Sequence, residues 1–173
     1  MKGFVERNSK LTREPEITCC TRELRSRYKK LGVIGFCFGG WGVFRLGAKS
    51  HSPPLVDCIS TAHPSFLEKV EIQNVGVPVQ ILSPENDIVF TPELKGFANG
   101  VIPTLGVPYD YQHFPGVTHG FATRGNLDDE KELKAMVRAK NSAVNWFQQW
   151  LHVNRGVQQT SGVATDARIG SSQ

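Results

Sequence analysis

The chain has 173 residues, 39% of them hydrophobic and 21% charged, with a formal net charge of +4. That is long enough for one domain with its own core and ordinary for a globular protein. It excludes a membrane-spanning helix, since no apolar run approaches ~20 residues, and it offers no basic stripe with aromatic platforms for nucleic acid.

The opening MKGFVERNSK carries Lys2 but no apolar segment behind it. No secretory signal is read there, and the expected location is cytoplasmic. Residues 1–15 are polar and read as irregular, ending at Pro15, and 16–30 read as a helix with Leu24 and Tyr28 one turn apart. The basic run RELRSRYKK at 22–30 reads as a solvated helix face. Cys19, Cys20, Cys37 and Cys58 form no CxxC pair and no zinc pattern, so free thiols and no metal are expected.

Residues 31–36 read as a short buried strand and 39–48 as a helix, with Pro53 and Pro54 breaking the chain after it. A second strand is expected at 55–61, and a third at 77–83 with Pro78 near its start. A helix follows at 91–100, with Pro92 in its first turn. A fourth strand is expected at 109–114, and an amphipathic helix at 128–151 that is acidic at its start. Trp41, Trp146 and Trp150 are expected in the core. The Gly/Ser/Thr/Gln-rich stretch 152–173 is expected to be a disordered polar tail, leaving 1–151 as the domain. Alternating strands and helices predict an α/β class with a mostly parallel sheet of about four strands flanked by helices. Ligands of such sheets sit at the carboxyl ends of strands, so the residues just past each strand are the ones to read for chemistry.

The first strand runs into Gly35-Phe36-Cys37-Phe38-Gly39. G-x-C-x-G is the nucleophile-elbow pattern with sulfur in place of oxygen, Gly35 and Gly39 being expected to relieve crowding around a strained Cys37. The helix beginning there favours a thiolate, and the Phe38 N–H stands where an oxyanion would form. The competing reading of Cys37 is a small core residue. The third strand runs into Ser83-Pro84-Glu85-Asn86-Asp87, where an acid either caps the next helix or orients a histidine. Asp87 is preferred over Glu85 because it lies deeper in the loop and is shorter. The fourth strand leads to His119 in a Gly-flanked loop, which alone reads equally as a surface residue. Together the order is nucleophile, acid, histidine, each in the loop after a strand, as in α/β-hydrolases.

With VIGFCFGG (33–40), TAHPSF (61–66), SPENDIVF (83–90), GVPYDYQHFPGVTHGFATRGN (106–126) and AVNWFQQWL (143–151), the chain resembles the dienelactone hydrolase (carboxymethylenebutenolidase) family, fungal and eukaryotic type. The resemblance implies a partial α/β-hydrolase fold. It implies Cys37 as nucleophile, His119 as base, Asp87 as orienting acid, and hydrolysis of a small lactone or activated ester through a thioester, with no cofactor. It points to Arg124 for a substrate carboxylate, and His63 is read as a pocket wall or hydrogen-bonding residue. It also implies an N-terminal part, with early strands and a second oxyanion donor, that residues 1–30 do not resemble. The strand at 31–36 is therefore expected to have an unpaired edge, which a homo-oligomer could cover. The alternative function is a catalytically impaired remnant that at most binds small acids or a partner.

Overall fold

The computed structural model describes residues 2–152; the expected tail lies outside them except for His152. Strands β1 (Gly32–Phe36), β2 (Cys58–Ala62), β3 (Val79–Asn86) and β4 (Tyr109–Thr118) form one parallel sheet in the order β1-β2-β3-β4. Helices α1 (Lys2–Arg7) and α2 (Lys10–Arg27) precede it. Helices α3 (Gly39–Leu46), α4 (Lys69–Gln73) and α5 (Pro92–Val101) each follow a strand, and α6 (Phe121–Arg124) and α7 (Glu130–Leu151) follow β4. The chain is thus α/β, with a four-stranded parallel sheet flanked by helices.

Parallel strands are covered on both faces, so they read as continuous apolar runs. All five residues of β2 are buried. Ile59, Val79 and Ile81 point to one side, into a core with Phe44, Phe90 and Ile102. Ala62 and Leu82 point to the other, against Phe114, Phe121, Ala139 and Ala143. Polar residues on that second face pair with one another under α7. Ser60 Oγ donates to Gln80 (2.8 Å), Gln80 Nε2 to Asp110 (2.7 Å), and Ser142 Oγ to Gln112 (2.8 Å). Trp146 Nε1 donates to the Ile59 carbonyl (2.9 Å), tying α7 to the centre of the sheet. Trp41 and Trp146 are core as expected, whereas Trp150 is only half-buried.

The described residues of that stretch are not irregular: α1 and α2 take up all of 2–15 except Asn8 and Ser9, and Pro15 lies inside α2. The Ser9 hydroxyl accepts the Thr12 N–H to start α2, and Pro15 costs that helix one hydrogen bond and crowds the Leu11 carbonyl. Ion pairs from Lys10 to Glu68 and Glu71, and from Arg45 to Glu14, hold the helix to the body. Arg25 and Lys30 of the basic run both pair with Asp57. They fasten α2 to the loop before β2.

Strand β4 reaches Thr118, beyond the expected end at 114. It pairs only with β3, so Pro115 loses no ladder bond that an inner strand would need. At the irregularity between Pro84 and Asn86, the Glu85 carboxylate accepts the Gly116 N–H (2.6 Å). Strand β1 is an edge of the sheet, with Ile34 and Phe36 39% and 38% exposed. A cavity of about 310 Å³ lies between them and Val144 and Phe147 of α7. No helix among the described residues is long and apolar enough to cross a membrane.

Candidate active site

The site forms at the carboxyl ends of the strands. At the end of β1 the backbone turns sharply: Cys37 has φ +52°, in the left-handed region, and Phe38 returns to φ −55° to start α3. The turn is pinned from both sides. Cys37 N–H donates to the Ala62 carbonyl (3.3 Å), and the Cys37 carbonyl accepts Gly40 N–H and Ser65 N–H (both 2.9 Å).

Two glycines make this turn possible, and they are not the expected pair. A Cβ on Gly35 would stand 2.1 Å from the Gly39 carbonyl oxygen, and one on Gly40 would stand 2.4 Å from the Pro64 side chain. A Cβ on Gly39 meets nothing within 4 Å. Gly39 is therefore not the residue that relieves crowding; Gly40 is, because the loop after β2 crosses α3 there. Gly40→Ala and Gly35→Ala should each lower unfolding stability by about 3 kcal/mol or more through overpacking. Gly39→Ala should stay within about 0.5 kcal/mol or gain slightly, because alanine is the better helix former. Urea unfolding of the three variants checks this.

Asp87 follows β3 with its carboxylate fully buried. Its Oδ1 accepts Val89 N–H (2.8 Å) and Phe90 N–H (3.0 Å), closing a turn that fixes the side chain. His119 stands one residue past β4, and Gly120 behind it has φ +94°. His119 Nδ1 lies 3.1 and 3.0 Å from the two Asp87 oxygens, and its Nε2 lies 3.2 Å from Cys37 Sγ. Carboxylate, imidazole and thiol thus stand in line, although 82 residues separate Cys37 from His119. Glu85 is the acid at the strand irregularity and stays exposed.

The electrostatics of the pair run in opposite directions. Burial favours the neutral thiol of Cys37. Hydrogen bonds from Ser65 and His119, the His119 charge and the Phe38 N–H outweigh it and hold the thiol below its ordinary 9.0. Burial likewise opposes the His119 imidazolium. Contacts with the Cys37 sulfur and the Asp87 carboxylate outweigh it and hold the imidazole above its ordinary 6.5. Such a pair favours thiolate and imidazolium together.

His63 follows β2 at φ +40° with its ring completely buried. It is therefore not a residue of the pocket surface. It packs edge-to-face on His119 (centroids 4.9 Å apart) and on Phe121 (5.8 Å), backing the imidazole from behind. Neither ring nitrogen has a hydrogen-bond partner among the described residues. Burial first, and the His119 charge second, push His63 down to about 4. The unfolded chain, with histidine near 6.5, then binds the extra proton between those values. Stability should fall by about 3 kcal/mol as pH drops from 6.5 to 4. Denaturant unfolding at pH 7 and near pH 4 should show that loss in the parent, and His63→Phe should reduce it.

Arg124 ends α6, exposed, with no hydrogen bond or ion pair from its guanidinium among the described residues. Its guanidinium lies over Gly120, the residue after His119, where an added Cβ would stand 3.5 Å from Arg124 Nε. A cleft of about 490 Å³ opens beside Asp87, Thr118 and His119. No group of His, Cys, Asp and Glu among the described residues could hold a metal ion.

Sequence reasoning missed Ser65. Its hydroxyl lies 2.9 Å from Cys37 Sγ, and the residue is only 3% exposed. The signal was present, since Ser65 sits in TAHPSF just past β2 on the edge where ligands bind.

The sequence and the fold are similar to those of known proteins. The chain is 33% identical over 142 residues to the hydrolase tropI of Talaromyces stipitatus, covering 81% of this chain and 54% of that protein. It is 32% identical over 140 residues to the hydrolase pyvD of Aspergillus violaceofuscus, covering 80% and 56%. The chain thus spans about half the length of the curated relatives it matches. Among solved structures, the dienelactone hydrolase-like promiscuous phosphotriesterase P91 from metagenomic libraries superposes with a TM-score of 0.55 at 17% identity, over 70% of this chain and 52% of that one. That likeness is one of fold, the α/β-hydrolase fold. Residues 4–151, which hold all four strands and every residue of the site, match a single family, and on that match the chain belongs to the dienelactone hydrolase family.

Proposed function

We propose that Cys37, His119 and Asp87 act as nucleophile, base and orienting acid, and that the protein hydrolyses small lactones or activated esters through a thioester. The observation that carries this is the line of contacts from the buried Asp87 carboxylate through both His119 nitrogens to a Cys37 held at positive φ. Strain at a single residue and a buried carboxylate behind an imidazole are what an activated nucleophile requires.

His119 holds the thiol proton while the sulfur attacks the carbonyl carbon. The C–S bond forms, and the carbonyl π pair moves to oxygen beside the Phe38 N–H. Collapse expels the alcohol oxygen, which takes the proton from His119. His119 then removes a proton from water, which attacks the thioester and releases acid and thiolate. Asp87 keeps the Nδ1 proton in place throughout. Arg124, with its free guanidinium beside the site, receives a carboxylate on the substrate. The chemistry needs a reduced thiol, which fits a cytoplasmic setting.

The test is iodoacetamide labelling read by peptide mass spectrometry, together with turnover of p-nitrophenyl acetate. Cys37 should label faster at neutral pH than Cys19 or Cys20, which are more exposed but lack a partnered imidazole. Equal labelling of these thiols without turnover would overturn the reading in favour of a non-catalytic remnant, which the open edge of β1 also accommodates.

A further inference from the structure

We propose that Ser65 is a further catalytic residue, whose hydroxyl donates a hydrogen bond to the Cys37 sulfur and stabilises the thiolate that attacks. This rests on the reading of Cys37 as nucleophile.

The direction of the bond follows from what surrounds the sulfur. Asp87 occupies His119 Nδ1, so that nitrogen carries a proton. His119 Nε2 therefore faces the sulfur either as a lone pair or as an N–H. In the first case the thiol proton lies toward His119, and the sulfur has only lone pairs left for Ser65. In the second the sulfur is a thiolate and accepts from both. Ser65 is thus the donor in either protonation state. A donor stabilises the charged acceptor more than the neutral one, so the contact favours the thiolate.

The hydroxyl is also held in place. Ser65 N–H donates to the Cys37 carbonyl, so the same residue grips the elbow through its backbone and its side chain. Pro64 before it lies against α3 where only a glycine, Gly40, leaves room. His63 and Phe66 on either side both have positive φ, at +40° and +58°, and this sharp double bend carries Ser65 back over Cys37. Phe66 packs edge-on against Phe38 at 5.6 Å, closing the bend over the first turn of α3. The side chain has no other hydrogen-bond partner among the described residues.

In the reaction no bond to the Ser65 oxygen forms or breaks. The sulfur pair forms the C–S bond, the carbonyl pair moves to oxygen, and the transferred proton stays on His119 until the alcohol leaves. Ser65 keeps its own proton.

The experiment is the pH dependence of Cys37 alkylation by iodoacetamide in the full chain, its Ser65→Ala variant and its Ser65→Thr variant, each checked for folding by circular dichroism. The acylation burst with p-nitrophenyl acetate is measured alongside. Ser65→Ala should raise the alkylation midpoint by about one pH unit and slow neutral-pH alkylation and the burst by about tenfold. Ser65→Thr, which retains the hydroxyl, should restore most of both. A midpoint that is unchanged or lower in folded Ser65→Ala overturns the role. If Cys37 in the parent chain labels no faster than Cys19 and Cys20, the nucleophile reading itself has failed and this role falls with it. A fast parent Cys37 with an unshifted Ser65→Ala removes Ser65 alone.

Discussion

Cys37→Ala is expected to lower p-nitrophenyl ester hydrolysis by about 10⁴-fold or more, leaving only what the Phe38 N–H and substrate binding supply. No neighbouring group can replace the sulfur. Ser65 reaches the same point, but its oxygen has no base within contact, because His119 Nε2 is directed at Cys37 Sγ. Folding should change little, since alanine meets the same φ of +52° that cysteine already tolerates and the thiol fills no core space. His119→Gln should cost nearly as much, because attack and deacylation both need the imidazole. In the parent chain, activity should rise with pH along a limb that lies below the ordinary thiol value of 9.0. That limb belongs to the Cys37–His119 pair rather than to either residue alone. A Cys37→Ala variant that keeps the parent rate would leave the chain as a binding remnant of its family.

The second large effect is expected from Asp87→Asn, about 10³-fold or more in turnover with the fold intact. The amide oxygen can still accept Val89 N–H and Phe90 N–H, so the turn after β3 survives. Its NH2 then meets His119 Nδ1, where the carboxylate had been. Two donors cannot face each other, so Nδ1 gives up its proton and Nε2 carries one instead. The imidazole then presents a donor to the thiol and can no longer take its proton. Asp87→Ala should lose activity similarly and destabilise the protein by about 1–3 kcal/mol besides, because two buried N–H groups lose their acceptor. Glu85→Gln is the control, since that exposed side chain still accepts Gly116 N–H. Equal loss in the Glu85 and Asp87 variants, or none in either, would dismiss the assigned acid.

The open edge of β1 places the site in context. Cys37 stands at the end of the strand that forms one border of the sheet, with Ile34 and Phe36 partly exposed beside an apolar cavity. The strand's outer backbone groups have no ladder partner among the described residues. The expectation of an uncovered first strand therefore holds across the described residues.

Several features were determined by local sequence alone. Buried strands announce themselves as short apolar runs, and the glycines around Cys37 mark a turn that other residues cannot make. The order Cys37, Asp87, His119 then follows from reading just past each strand, because parallel strands deliver their following loops to one edge. Other features needed the tertiary structure. Pro15 reads as the end of an irregular stretch, yet it lies inside α2, which ion pairs to Glu68, Glu71 and Arg45 hold from outside. Gly39 and Gly40 look alike in the sequence, and only the path of Pro64 across α3 separates the crowded one from the open one. His63 and Ser65 are two residues apart. The register that sets Phe36 beside Ala62, followed by the bend at 63–66, buries one behind His119 and lays the other on the sulfur. Such assignments depend on how distant segments pack in three dimensions, and a residue's type and its neighbours in the chain carry no record of that.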